Sequence, residues 1–318
     1  MFVARLLALL LITAAPSHAV TQQDYDDCNS GNAETRIAGC TRIIEDSQEP
    51  ARNRGLAYYG RGLGHAQKRE YDTAIANFDA AIRLAPSYTP AFLNRGTSYI
   101  NKGEYDRAIA DFDQALKIDP DNALGYYFRG WAYSSKGNLD RAIEEYSEAI
   151  RLEPGAYLYS WRGDAYRNKG DHERALADYE EAIRLNANSV NGYAHRARLY
   201  VDRKDHDRAI PDLTQLIRLA PSYFAYGDRG AAYLARGEFD LAIADYTEAI
   251  RLYPTYGGHY QSRGLAYLAK GDKDRAIADF RQAIELDPLG SKASRDELKV
   301  LVGEAGLPPR KNMLEMLK

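Results

Sequence analysis

Hydrophobic positions fall into pairs of helical blocks that recur along most of the chain. In residues 89–120, apolar side chains recur at helical spacing in one block around Phe92 and a second around Phe112. Gly103 lies between the blocks. A glycine there can adopt the left-handed conformation that ends a helix. Pro120 follows the second block and cannot continue a helix. The pattern therefore predicts a helical hairpin.

The Arg-Gly dipeptide marks each copy of this hairpin. Successive copies lie 33 or 34 residues apart. One copy has Arg196-Ala197 in place of the dipeptide, so the Arg-Gly dipeptides on either side of it are separated by two intervals. A fixed period of this length is typical of a stacked array of one supersecondary unit. The dipeptides are Arg61-Gly62, Arg95-Gly96, Arg129-Gly130, Arg162-Gly163, Arg229-Gly230 and Arg263-Gly264.

Six columns of the repeat keep their size from copy to copy. Three stay small and three stay aromatic; in residues 89–120 they are Gly96, Ala108 and Ala115, and Phe92, Tyr99 and Phe112. Small residues let two helices approach closely, and rings fill the space that remains. Over residues 55–290 this pattern resembles the tetratricopeptide repeat, in its bacterial form with Arg-Gly in the first helix.

The resemblance implies an all-α fold, a right-handed α-solenoid of seven tetratricopeptide helical hairpins. It also implies a non-enzymatic scaffold that binds a protein or peptide in the concave face of the superhelix. Around the repeats at 55–290 we expect a degenerate N-terminal half-repeat at 20–54, and a capping helix and tail at 291–318.

Helix starts and one irregular repeat give local expectations. Asp106 is expected to cap the second helix of its hairpin, and Thr89 to cap the first.

Repeat five, Val190–Tyr223, departs from the pattern. Either its sequence has drifted and its side chains have repacked to compensate, or the repeat is a joint in the array. Its exceptions are Ala197, Lys204, Leu213, Leu216 and Pro211, which follows the expected cap Asp207.

The repeated arginine has an acidic counterpart sixteen residues later in six of seven copies. This offset predicts a ladder of ion pairs between the two helices of each hairpin; the alternative is that both residue types independently suit a surface. The pairs are Arg95/Asp111, Arg129/Glu145, Arg162/Asp178, Arg196/Asp212, Arg229/Asp245 and Arg263/Asp279, with Arg61 facing Asn77.

Residues 1–19 have the order of a secretory signal. Arg5 precedes the apolar run Leu6–Ala15, and the small-x-small triplet Ser17-His18-Ala19 follows. We expect cleavage after the triplet and a periplasmic or secreted bacterial protein. The alternative, a membrane anchor, is disfavoured because the run is short for a bilayer. No stable membrane insertion is expected after cleavage.

Both cysteines, Cys28 and Cys40, lie in the N-terminal segment. Two cysteines in an exported chain predict one disulfide; two buried thiols or a metal site are the alternatives. A metal would require more ligands, and no histidine occurs between Val20 and Gly64.

No catalytic motif occurs in the sequence: it lacks a Gly-rich phosphate loop, HExxH and a nucleophile elbow. We therefore expect no enzyme, no cofactor and no metal. The net charge of −3 and the absence of a basic stripe argue against a nucleic-acid partner.

Large side chains between the framework columns of the first helices are the candidate partner-binding residues. They are Tyr59, Leu93, Tyr127, Phe128, Trp131, Trp161 and Phe224. Rings facing a groove are typical of binding hot spots, and the alternative is that they only cover neighbouring helices. A second functional hypothesis is a cell-envelope glycan-binding module that stacks these rings on sugars.

Overall fold

The computed structural model describes residues 19–288 and 290–303, which form helices and no strands. The predicted signal segment, apart from Ala19, and the tail after Gly303 lie outside the described residues. The helices are α1 (Gln22–Cys28), α2 (Ala33–Glu45), α3 (Ala51–Gln67), α4 (Tyr71–Leu84), α5 (Thr89–Asn101), α6 (Tyr105–Ile118), α7 (Ala123–Ser135), α8 (Leu139–Leu152), α9 (Ala156–Lys169), α10 (His172–Leu185), α11 (Val190–Asp202), α12 (His206–Leu219), α13 (Tyr223–Ala235), α14 (Phe239–Leu252), α15 (Gly257–Ala269), α16 (Lys273–Leu286) and α17 (Lys292–Val302).

Helices α3 to α16 pair in sequence order into seven hairpins, which confirms the predicted α-solenoid of tetratricopeptide hairpins. The chain divides between Glu153 and Pro154 into two compact units. The N-terminal unit contains α1 to α8, and the C-terminal unit contains α9 to α17. Within each unit, every hairpin packs on the next, as expected for a solenoid whose repeats contact their neighbours.

The hairpin turns use the predicted left-handed residue. Gly103 has a φ of +77°, and four other turn glycines share this conformation. Repeat five has Lys204 at this position, and its φ of +59° is unusual for a residue with a side chain. The other glycines are Gly137, Gly170, Gly237 and Gly271.

Both predicted helix caps were wrong. Helix α6 begins at Tyr105, so Asp106 lies inside its first turn, where it accepts a bond from Lys136 of the next hairpin. Helix α5 already includes Thr89, and Tyr88 precedes it without a side-chain capping bond. The residue that directly precedes each second helix provides the cap where it is Asn or Asp, at Asn138, Asp171, Asp205 and Asp272.

Repeat five keeps both helices despite its exceptions. Helix α12 is capped by Asp205 instead of the expected Asp207, which forms an ion pair with Arg236 at 2.7 Å. Pro211 lies inside α12 and removes one backbone donor without ending the helix.

The conserved size of the columns reflects direct contact between small residues and rings. A Cβ atom added to Gly96 would lie 2.6 Å from the ring of Phe112, which is fully buried. Gly163 and Tyr179 show the same relation, also at 2.6 Å. Because such distances leave no room for a methyl group, glycine is required in the first helix wherever the ring occupies the second.

The arginine ladder is confirmed. Arg95 donates to both carboxylate oxygens of Asp111, at 2.8 and 2.5 Å, and the acid is 4% exposed. Each of the other five predicted pairs also forms in the structure, and Arg61 donates to the Asn77 amide oxygen at 2.7 Å. Burial raises the pKa of the Asp111 carboxyl, and the guanidinium of Arg95 acts in the opposite direction.

The same arginines also connect neighbouring hairpins, which the sequence did not predict. Arg129 donates through Nη1 to Asp113 of the preceding hairpin at 2.6 Å. Arg263 reaches Thr247 of the preceding hairpin in the same way at 3.0 Å. One guanidinium therefore joins the two helices of its own hairpin and attaches that hairpin to the previous one.

The N-terminal segment, predicted as a degenerate half-repeat, forms a short hairpin of α1 and α2. Helix α1 is a first helix shortened to seven residues, and it packs against α2. The predicted disulfide between Cys28 and Cys40 joins these two helices and is buried against Gly60. Closing a loop of this size stabilises a fold by about 3 kcal/mol in the chain-entropy model. Helix α3 starts at Ala51, before the expected boundary of the first repeat.

At the other end, α17 covers the last hairpin of the C-terminal unit. Its Leu298 is fully buried and packs in one cluster with Phe280 and Ile284 of α16. Helix α17 thus removes the apolar face of α16 from water, which is the role of a terminal cap in a repeat array.

The buried ladder predicts strong coupling between its partners. Arg229→Ala leaves the Asp245 carboxylate buried without its cation, so we expect a loss of unfolding free energy of about 3–5 kcal/mol. Asp245→Ala in that background should add far less than it does alone, since the two residues act as a pair. Chemical denaturation of both single variants and the double variant measures the coupling.

The matched control is the exposed pair Arg251 and Glu248 on α14. Its double-mutant cycle should show no measurable coupling, because water screens both charges. Equal coupling in the two cycles would contradict a special role for the buried pair.

The turn of repeat five predicts a stabilising substitution. Lys204→Gly should raise the melting temperature, because a left-handed conformation costs a residue with a side chain about 1–2 kcal/mol. Gly170→Lys in the preceding turn should lower it, since a Cβ there meets no atom within 4 Å and only the backbone conformation opposes it. Thermal unfolding followed by circular dichroism compares both with the wild type; a lower melting temperature for Lys204→Gly would refute the strain.

Candidate functional site

First helices of successive hairpins contact one another in both units. Helix α3 contacts α5 and α5 contacts α7 in the N-terminal unit, and α9 contacts α11 and α13 contacts α15 in the C-terminal unit. We call the solvent-facing side of these helices the first-helix face. All seven predicted partner-binding residues lie on these helices.

Two of the predicted binding residues belong to the framework. Leu93 is 7% exposed and lies in the core, so its prediction as a groove residue was wrong. Tyr59 packs against Phe78, at 5.9 Å between ring centroids, and edge-on against Tyr88 at 5.1 Å. Its hydroxyl accepts a bond from the Asn94 amide at 3.1 Å, and burial raises its pKa to about 12.

Helix α7 brings three predicted residues together as a cluster of half-buried rings. Tyr127 and Phe128 lie 5.0 Å apart, and Phe128 stacks on the core ring of Phe112 at 5.9 Å. Trp131 packs half-buried against the same core cluster. Each ring thus presents one side to the core, and together they give the N-terminal unit an aromatic surface.

The remaining two predicted residues lie in the C-terminal unit. Trp161 on α9 is half-buried. Phe224 on α13 is 61% exposed, and its ring lies 4.0 Å from that of Tyr223. Three other copies of this column also expose a large apolar side chain, which the sequence reasoning missed: Leu56, Leu124 and Tyr157.

Phe224 stands beside a cleft of about 350 Å³ that the sequence reasoning also missed. We call it the α13–α15 cleft, since first helices supply most of its walls. Its lining includes Phe224, Asp228, Tyr246, Tyr256, His259 and Gln261.

His259 is a buried polar residue of the cleft. It is 6% exposed, and no residue of the described chain forms a hydrogen bond with its Nε2 atom. Tyr256 and Tyr223 pack edge-on against the imidazole, at 4.7 and 5.8 Å between centroids. Burial lowers the pKa of His259, which keeps the ring neutral at pH 7.

A column exception in the sequence marks this histidine. Gly227 provides the space for it, because a Cβ atom there would lie 2.6 Å from the His259 ring. The column of Gly227 holds larger residues in most other copies, including Tyr59 and Tyr127. The column of His259 otherwise holds small or apolar residues, namely Ala57, Ala91, Gly125, Leu158, Gly192 and Ala225.

Asp228 is the acidic group of the cleft. It is half-buried, and no described residue donates a hydrogen bond to its carboxylate. Burial raises its pKa, Arg198 lowers it, and Asp202 raises it. The guanidinium of Arg198 bonds instead to Asp202, at 3.2 Å.

Another acid on the first-helix face of the C-terminal unit is fully paired and gives a useful contrast. Asp164 accepts bonds from the Tyr179 hydroxyl at 2.8 Å and from His195 Nδ1 at 2.5 Å. Its carboxylate is satisfied within the fold, whereas that of Asp228 is not.

The described residues contain no cluster of three or more His, Cys, Asp or Glu side chains that could hold a metal ion. Over the same residues, no helix combines the length and apolar character that crossing a bilayer requires.

Comparison with known structures shows the fold. A tetratricopeptide repeat protein from Parabacteroides merdae is 22% identical with a TM-score of 0.53, over 78% of this chain and 98% of its own. PilF from Pseudomonas aeruginosa is 20% identical with a TM-score of 0.55, over 64% and 92%. A chain of the APC/C hetero-tetramer Cut9–Hcn1 is 18% identical with a TM-score of 0.57, over 85% of this chain but only 53% of its own length.

No curated protein matches the sequence. Models described as tetratricopeptide repeat match residues 93–157 and 129–190, residues 190–223, and residues 223–256 and 260–288. These matches cover more than half of the chain and coincide with the hairpins α5 to α16. With the small and aromatic columns in contact as described, the chain belongs to the tetratricopeptide repeat family.

Proposed function

We propose that this protein is a non-enzymatic scaffold that binds a protein or peptide partner through its first-helix face in the bacterial periplasm. The observation that supports it most directly is the exposed apolar column of Phe224. Leu56, Leu124 and Tyr157 occupy this column in other hairpins and are 40–46% exposed, and Phe224 is 61% exposed.

The fold does not require large apolar residues in this column. Other copies have Pro90, Asn191 and Gly258 there, and those hairpins form the same helices. Leaving a Phe or Leu side chain in water forgoes about 1.5–3 kcal/mol of burial free energy. A partner that covers the column would recover it, and aromatic side chains in such positions are enriched among binding hot spots.

The aromatic cluster of α7 gives the N-terminal unit a comparable surface. Tyr127, Phe128 and Trp131 present ring surface without exposing any backbone polar group, because their helix satisfies its own hydrogen bonds. Apolar surface on a rigid helical layer is suited to an apolar or extended peptide segment.

The proposal predicts a separation of binding from stability. Peptides are selected from a random phage-displayed library on the mature chain, and their affinities are then measured for variants by calorimetry. Phe224→Ala tests the C-terminal unit and Trp131→Ala tests the N-terminal unit. The variant that lies in the unit contacted by a selected peptide should lose about 2 kcal/mol or more of affinity for that peptide. For Phe224→Ala the melting temperature should stay unchanged, since the ring is mostly exposed.

Leu93→Ala is the framework control, because it removes a core side chain and should cost about 2–5 kcal/mol of stability. The glycan-binding alternative would be favoured if the library yielded no enriched peptide and the protein bound peptidoglycan fragments instead. Phe224→Ala should then abolish the binding of those fragments. Unchanged peptide affinity in a stable double variant of Phe224 and Trp131 would remove the first-helix rings from the binding site.

Two features support an exported location. The segment 1–19 has the order of a signal peptide, and Cys28 and Cys40 form a disulfide, which is usual in oxidising compartments. N-terminal sequencing of the native protein should give Val20 as the first residue, and osmotic shock should release it. A native chain that retains Met1 would contradict export.

A further inference from the structure

We propose that the α13–α15 cleft binds a lysine or arginine side chain of the partner, with the cationic group against Asp228 and the stem between the aromatic walls. This inference rests on the proposed peptide-binding function and adds the chemistry of one subsite. It is specific to the C-terminal unit.

Asp228 provides the charge. Its carboxylate is half-buried and accepts no hydrogen bond from the described residues, so it is partly withdrawn from water without gaining a donor. Other acids of the first-helix layer and the ladder, such as Asp164 and Asp245, have donors within the fold. An ammonium or guanidinium supplies both the opposite charge and the missing N–H groups.

His259 provides a second polar contact. Its Nε2 atom is buried and unpartnered, and a neutral imidazole nitrogen can accept an N–H bond in one of its tautomers. His259 and Asp228 line the same cleft, so both offer acceptors to the several donors of one cationic group. An acidic ligand is disfavoured, because it would meet Asp228 with the same charge.

The walls suit the remainder of such a side chain. Phe224 and Tyr256 line the cleft with ring surface, and rings attract both cations and the methylene stems of Lys and Arg. The volume of about 350 Å³ is at the lower end of ligand pockets, which suits one side chain in place of a whole small molecule.

Among the described residues, none places a cation on the Asp228 carboxylate. Arg198 on α11 is the nearby basic residue that lowers the pKa of Asp228, but its guanidinium bonds to Asp202. Tyr246 on α14 lines the cleft and is a neutral group, since burial raises its pKa to about 12. The charges that face Asp228 therefore leave its carboxylate available to an external cation.

The test uses pentapeptides Ac-AAXAA-NH2 in which X is lysine, arginine, norleucine or glutamate. The mature protein is titrated with each while the ring resonances of His259 are followed by NMR, assigned with His259→Ala. Alanine is the residue of this column in three other copies, including the preceding one, so that variant should fold. We expect saturable shifts with lysine and arginine and none with norleucine or glutamate. Equal shifts with norleucine would overturn the cationic subsite.

The variant Asp228→Asn keeps the shape and removes the charge. It should weaken the lysine and arginine peptides by about tenfold or more, since it removes a charge-assisted bond. Asp274→Asn is the matched control, because it removes one exposed acid of the same unit outside the cleft and should change affinity less than twofold. Equal weakening by both variants would indicate only long-range attraction and would overturn the subsite.

Lowering the pH should also weaken the binding of the lysine and arginine peptides, because two groups in the cleft become protonated. Asp228 has a raised pKa and must be ionised to bind a cation, so affinity falls as the pH decreases through that pKa. Protonation of His259 at acid pH adds a positive charge and acts in the same direction. The Asp228→Asn variant should lose the carboxylate part of this dependence; an unaltered pH profile would contradict its role.

The two proposals fail in different ways. Library-selected peptides that bind independently of any basic residue would leave the scaffold function in place and refute only the cationic subsite. Absence of binding by both the selected peptides and the pentapeptides would refute both.

Discussion

The buried arginine of each hairpin is the interaction on which the array depends. In five of the seven repeats its planar guanidinium forms two parallel bonds to the carboxylate of its own second helix. In several copies it also bonds to a side chain of the preceding hairpin. A ring of the first helix lies under it, as Phe92 does under Arg95 at 5.7 Å. One residue per repeat thus fixes helix pairing and stacking together. A shorter or non-planar cation such as lysine could not make these bonds at once.

Because the repeat assigns the same contacts to the same columns, much of the fold could be predicted from sequence. The Arg95/Asp111 offset and the small and aromatic columns were visible because each contact recurs at one fixed separation. The helix starts were not, since α6 begins at Tyr105, two residues earlier than a cap at Asp106 implies, and Asp106 is therefore a first-turn residue. The hairpin of α1 and α2 was also missed in part, because its short first helix does not follow the period.

The candidate site was less predictable, since exposure depends on neighbours outside the column. Tyr59, Leu93 and Tyr127 share one column, yet Leu93 is core while Tyr127 is half-buried. The cleft required a pair of exceptions in different columns of adjacent repeats to be recognised. Gly227 and His259 are each ordinary residues in isolation, and only the structure shows that one occupies the space left by the other.

This pair of exceptions has a cost, because it leaves a buried polar atom of the cleft without a partner. An alanine at the position of His259 and a larger residue at that of Gly227 would restore the packing used elsewhere and would remove the unpartnered imidazole nitrogen from the cleft. The present arrangement leaves Nε2 of His259 buried without a partner, beside the half-buried carboxylate of Asp228. Buried polar groups without partners oppose folding. Local departures of this kind, in a chain that otherwise follows its repeat closely, are concentrated at sites that serve binding more than stability. On this physical ground the α13–α15 cleft is a stronger candidate for recognition than the aromatic cluster of α7, whose rings also complete the core.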